Sequence, residues 1–186
     1  MSTSCGITSG LDLTCQDLKL GAGGLQQRMW LGNLADLASP RYTQDSEGYI
    51  VSLEFLSSYA NLYEVTGVKN QNSTNSDAQA LESGNASFPQ SVVATVHTNT
   101  PAGLQFLEDA AYATLFAIVE TSNNRLEIFG LNLGLSLESA PKTSGNTTQD
   151  STARVITFSG DQSEPEKIFL RTDYATSIAY LESFVA

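Results

Sequence analysis

From residue 26 onward the chain is divided into short runs in which apolar and polar residues alternate, and this alternation limits the fold more than any other feature. Side chains of an extended strand point in turn to its two faces, so such runs read as β-strands. The clearest is residues 48–57, GYIVSLEFLS, with Tyr49, Val51, Leu53 and Phe55 on one face and Ile50, Ser52, Glu54 and Leu56 on the other. Further strand patterns occupy residues 26–33 around Trp30, 61–69, 88–98, 114–121, 125–130, 131–138 and 153–160. The link at 57–60 has the length of a hairpin turn, and Ser122-Asn123-Asn124 suits a tight turn between 114–121 and 125–130. Residues 35–42 read as a turn-rich connection containing Pro40. A helical period is clear in one place: Thr100 can cap, Pro101 suits the first helical position, and Leu104, Leu107, Ala110 and Ala111 form a stripe. The tail from Ile168 holds Tyr174, Ile178, Leu181 and Phe184, too apolar for a free end. The expected fold is mainly β, a sandwich or barrel of about seven or eight strands with one flanking helix.

A chain of 186 residues is long enough for one domain with a real core and too short for two ordinary ones. Residues 1–25 form a Gly-rich leader or arm, and residues 26–186 read as a single β domain. Inside it, residues 70–87, NQNSTNSDAQALESGNAS, carry Leu81 as their one large aliphatic side chain. Such a stretch cannot offset its own ordering entropy. Its length between two strands marks it as a mobile surface loop, or as a loop or long hairpin that orders against a neighbouring subunit. Asn70, Asn72, Asn75, Asp77, Leu81 and Glu82 are its candidate contact residues.

Charge and chemistry narrow the function. The formal net charge is −11. That argues against wrapping nucleic acid, because binding gains counterion release only where Lys and Arg meet phosphate. His97, the single histidine, ends an apolar strand and reads as structural. Cys5 and Cys15 are ten residues apart with no Cys-x-x-Cys motif; they read as reduced thiols or a short-loop disulfide, and with one histidine they do not make a zinc set. Gly21-Ala22-Gly23-Gly24 lacks the Gly-Lys-Ser/Thr ending of a phosphate loop, and Glu108 and Asp109 point to different sides of their helix. No nucleophile–base pair is visible, so neither an enzyme nor a cofactor is expected. No apolar run approaches the roughly 18 residues of a spanning helix, and the N-terminus does not read as a secretory signal.

The order of segments resembles the virion proteins of tailed bacteriophages, and most closely a major tail tube protein. It runs from the Cys- and Gly-bearing leader through Gly23-Gly24 into QQRMWLGNLADL, then GYIVSLEFLSSYANLYEVTGV and FPQSVVATVHT. PAGLQFLEDAAYA, TLFAIVETSNNRLEIFGLNLGL and RVITFSGDQSEP follow. The resemblance covers most of residues 5–165 and is one of order and texture. It implies a tail-tube-like β-sandwich or barrel, homohexameric rings stacked into a tube in the virion tail, contacts with other tail proteins, and a lumen through which genomic DNA passes without specific binding. Assembly would take place in the host cytoplasm, with no membrane involved. A net-negative chain suits such a lumen, which must not hold phosphate. Tail terminator, tail completion and capsid decoration proteins are alternatives within virions; a carbohydrate-binding β-sandwich is one outside them.

If residues 48–69 and 114–130 supply two hairpins to the inner barrel, one face of each strand meets the bore. Glu54, Glu64, Glu120 and Glu127 are then expected on that wet face, because a carboxylate in a closed β-core costs several kcal/mol unless paired.

Overall fold

The computed structural model describes residues 25–57, 62–68, 71–81, 86–96, 100–143 and 153–185. The strand β8 (Leu115–Thr121) is buried from Leu115 through Glu120. A strand with no exposed face needs cover on both sides, and β8 sits near the middle of a sheet that has it. That first sheet runs in the order β2-β3-β13-β9-β8-β1-β4. Its members are β1 (Leu25–Asn33), β2 (Leu37–Gln44), β3 (Ile50–Phe55), β4 (Leu62–Thr66), β8, β9 (Leu126–Phe129) and β13 (Lys167–Phe169). A second sheet runs β10-β12-β7-β5, with β6 and β11 added on β7 and β12. Its strands are β5 (Ser73–Ser76), β6 (Gln79–Ala80), β7 (Ala86–Val96), β10 (Ser136–Ser139), β11 (Lys142–Thr143) and β12 (Ala153–Gln162).

Two apolar clusters hold these layers. Met29, Leu31, Ala117, Val119 and Phe129 of the first sheet meet Val92, Ala94, Ile156 and Phe158 of the second. Helix α1 (Pro101–Tyr112) adds Leu107 and Ala110 to this cluster. On the other face of the first sheet, Trp30, Phe116, Ile118, Leu126, Ile128 and Phe169 pack with Leu181 of helix α2 (Tyr174–Glu182). The layer order is therefore second sheet, first sheet, α2. The fold is mainly β, as the alternation predicts, with two flanking helices among the described residues where one was expected.

Helix α1 starts where the sequence places it: the Thr100 hydroxyl accepts from Gly103 N at 3.2 Å, and Pro101 stands at the first helical position. The β8–β9 hairpin also forms as expected, with Asn124 at φ 58° in its turn. Three other expectations need correction. Residues 48–69 are not a hairpin: β3 pairs with β2 and β13, whereas β4 pairs with β1. The hairpin partner of β3 precedes it, through a turn in which the Asp45 carboxylate accepts from Glu47 N and Tyr49 N, both at 2.9 Å. Residues 37–44 form a strand despite Pro40, because β2 lies at the sheet edge, where a missing N–H is tolerated. The alternating leucines of 131–138 give only the short β10, since Gly130 and Gly134 at φ 76° and 88° turn the chain before it. The tail, read as too apolar for a free end, forms α2 over residues 174–182. It is capped by the Asp173 carboxylate on Thr176 N at 2.7 Å, and Leu181 is buried on the sheet.

Candidate assembly surfaces

The four carboxylates expected on a common wet face are not brought together. Glu120 is only 6% exposed, and its placement on a wet face is corrected. It accepts a hydrogen bond from the Tyr174 hydroxyl of α2, and its other oxygen lies 3.7 Å from Arg28 Nε. Arg28 in turn donates to Glu182 at 2.8 Å and lies over the Trp30 ring, 4.8 Å from its centroid. Partial burial works against the Arg28 charge, but the carboxylates of Glu182, Glu120 and Glu64 outweigh it and hold the pKa above its ordinary value. Glu127 pairs in register with Val119, on the inter-sheet face, whereas Glu120 pairs with Leu126, on the face beneath α2. The two therefore point to opposite sides and cannot line one bore. Burial and the neighbouring Glu166 raise the Glu127 pKa, and Arg125 partly offsets them. Glu54 is half-buried, and Glu64 is exposed on the edge strand β4. The physical reason for Glu120 is that α2 covers its face of the first sheet and that Arg28 and Tyr174 pair the carboxylate there.

The Tyr174–Glu120 contact gives a pH prediction. Burial, then the hydrogen bond to Glu120, push the Tyr174 pKa up from 10.0 to about 12. A folded-state pKa above the unfolded value means stability that is complete below pH 10 and is lost as pH rises through about 12. The melting temperature of the wild type is expected to fall across that window more steeply than that of Tyr174→Phe. Identical slopes would exclude the contact as the cause.

Residues 73–80 and 86–93 form a hairpin arm held in one continuous register, from Ser73 opposite Val93 to Ala80 opposite Ala86. The ladder is interrupted once, where Asp77 N donates to the Pro89 carbonyl at 3.1 Å and Pro89 has no N–H to return. β12 follows β7 as far as Phe88 opposite Gln162, so beyond that point the arm is two-stranded. Asp77, Ala78, Gln79, Ala80 and Ala86 are exposed, and Leu81 is 46% exposed. Of the candidate contact residues, Asn75, Asp77 and Leu81 are thus on the surface. Asn70 and Glu82 lie outside the described residues. Asn72 is corrected: it is buried, its Oδ1 accepts from Thr95 N and its Nδ2 donates to Gln26 O, both at 3.1 Å, so it ties the two sheets together.

One sheet face is left open by both described helices, because α1 packs into the inter-sheet core and α2 lies on the far side of the first sheet. This is the outer face of the second sheet. Across its four strands one row reads Asn75, Ser91, Ser159, Ser136 and the next reads Ser73, Val93, Thr157, Ser139. The register fixes the orientation, since Val92, Ala94, Ile156 and Phe158 between these positions face the core. Asp161 is exposed at the same parity. The basic residues of this sheet, Arg154 and Lys142, share the row of Val96 on the opposite parity. Sequence reasoning missed this surface although its signal is visible in the chain: Ser73 and Asn75, Ser91 and Thr95, and Thr157 and Ser159 fall at alternate positions, with Val93, Val155 and Asp161 in the same rows.

A cleft of about 360 Å³ lies between Pro40, Arg41, Gln90, Gln162 and Lys167. Its polar groups are largely used internally. Arg41 donates to the carbonyls of Leu131 and Asn132. Gln90 accepts from Gly130 N at 2.9 Å, and Gln162 accepts from Leu133 N and donates to Gly134 O, both at 2.8 Å. The cleft is a brace around the 130–134 turn. Among the described residues no cluster of three His, Cys, Asp or Glu could hold a metal ion, and no helix is long and apolar enough to cross a membrane. His97, Cys5, Cys15 and almost all of the leader lie outside the described residues. No family model matches the chain, and neither a curated protein nor a solved structure is matched by it.

Proposed function

We propose that this chain is a structural subunit of a bacteriophage tail tube, forming homohexameric rings that stack around a channel for DNA. The observation that carries the reading is the open outer face of the second sheet: its described rows hold mostly hydroxyl and amide side chains with Val93 and Val155, Asp161 exposed among them and no cation, with a projecting arm at the margin. In this reading that face, and not the carboxylates of the first sheet, lines the bore. Side chains of this kind bring no cation to hold phosphate, while the net charge of −11 keeps DNA from condensing on the subunit.

Electron microscopy of the purified chain tests the assembly: rings or tubes are expected, and monomers or closed shells would favour a terminator or decoration role. The bore is tested separately. Ser91→Lys and Ser159→Lys each place a ring of six cations on the wall under this reading, so tubes should still form while genome ejection slows about tenfold or more. Ejection at the wild-type rate from such particles would remove the second sheet from the bore.

A further inference from the structure

We propose that the arm of one copy seats on the β8–β9 turn of the next, joining a second copy of the chain head to tail with a single polarity. This rests on the stacked-ring reading and specifies its contact. The first observation is placement. Thr95, near the end of β7, is linked through Asn72 to Gln26, and Gln26 donates to Asn124 in the β8–β9 turn at 3.3 Å. The described distal end of the arm lies at the other end of the same strand, at Ala86, nine residues from Thr95. At about 3.3 Å per residue the two features stand about 30 Å apart, at opposite ends of the subunit. The second observation is charge. Residues 70–96 contain Asp77 and Glu82 and no Lys or Arg, whereas the turn residues 121–126 contain Arg125 and no acid. Arg125 is half-buried, and Glu127 is partly stabilised in its charged form by it. The third is stability. The distal arm is two-stranded and exposed on both sides, an arrangement that is marginal in water by itself and gains order from a partner. Because the contact joins two different patches, it propagates rather than closing a pair.

The test is a charge exchange in the full-length chain. Asp77→Arg and Arg125→Asp should each lower the sedimentable polymer about tenfold at fixed concentration, with an unchanged melting temperature. The double variant should recover most of it. Singles that polymerise like wild type, or a double that is no better than either single, would overturn the proposal while leaving the tube reading in place. A second measurement does not depend on charge. In a Cys5→Ser, Cys15→Ser background, Gln79→Cys with Ser122→Cys should give a ladder of linear oligomers on oxidation, and either cysteine alone should not. Absence of the ladder in assembled tubes would also overturn it. A wild-type chain that stays monomeric at every concentration would overturn both readings.

Discussion

Glu120→Lys is expected to destabilise the subunit by about 3–5 kcal/mol, the range for breaking a buried ion pair. The substitution removes the acceptor of the Tyr174 hydroxyl and places a second cation beside Arg28 in a site only 6% exposed. Helix α2 should loosen first, because Tyr174 and Glu182 are two of the groups that hold it to the first sheet. Chemical denaturation gives the magnitude, and the fluorescence of Trp30, which lies beneath α2, reports the loosening. The companion Glu64→Lys changes an exposed edge residue and should stay within about 0.5 kcal/mol of wild type. If the two variants were equally stable, the assignment of Glu120 as a buried pairing group would be wrong.

Asn72→Ala should cost about 2–3 kcal/mol, because the buried Thr95 N–H and the part-buried Gln26 C=O both lose the Asn72 side chain as a partner. The same site explains a glycine. A Cβ on Gly67 would stand 2.3 Å from the Asn72 Oδ1, so Gly67→Ala and the wild-type Asn72 cannot coexist without movement. Truncating Asn72 removes that obstacle. The double variant Asn72→Ala, Gly67→Ala is therefore expected to be more stable than the sum of the single losses allows, by about 1 kcal/mol in a double-mutant cycle. Strict additivity would mean that the Asn72 side chain does not fill this gap.

What the sequence showed was local. Thr100 and Pro101 mark the start of α1 because capping is decided within one turn, and Ser122-Asn123-Asn124 marks the β8–β9 turn for the same reason. What it hid was the partner of each strand. Residues 48–57 and 61–69 are close in sequence and similar in pattern, yet β3 takes β2 and β13 while β4 takes β1, choices set by contacts across the whole chain. The carboxylates failed through the same gap. The rule that an unpaired acid avoids a core is sound, but Glu120 is paired, by Arg28 and Tyr174, which lie far from it in the chain on either side. The covering helix α2 decides which sheet face is closed, and its signal, Asp173 ahead of Tyr174, Ile178 and Leu181, is read only once the terminal residues are treated as an element.

Pro89 gives the arm a mechanical property. Opposite Asp77 the ladder has one bond where a regular pair of this kind has two, so bending of the hairpin is easiest there. Proximal to it, Ser73–Ser76 is anchored across four strands; β12 ends opposite Phe88, one residue further out, and beyond that the arm is free of it. A stack of rings that curves must open its contacts on the outer side and compress them on the inner side. With compliance concentrated at one residue, each tip can pitch to follow its neighbour while the sheet behind it keeps its shape. A tube assembled as proposed would then flex through its joints, and its wall would stay rigid.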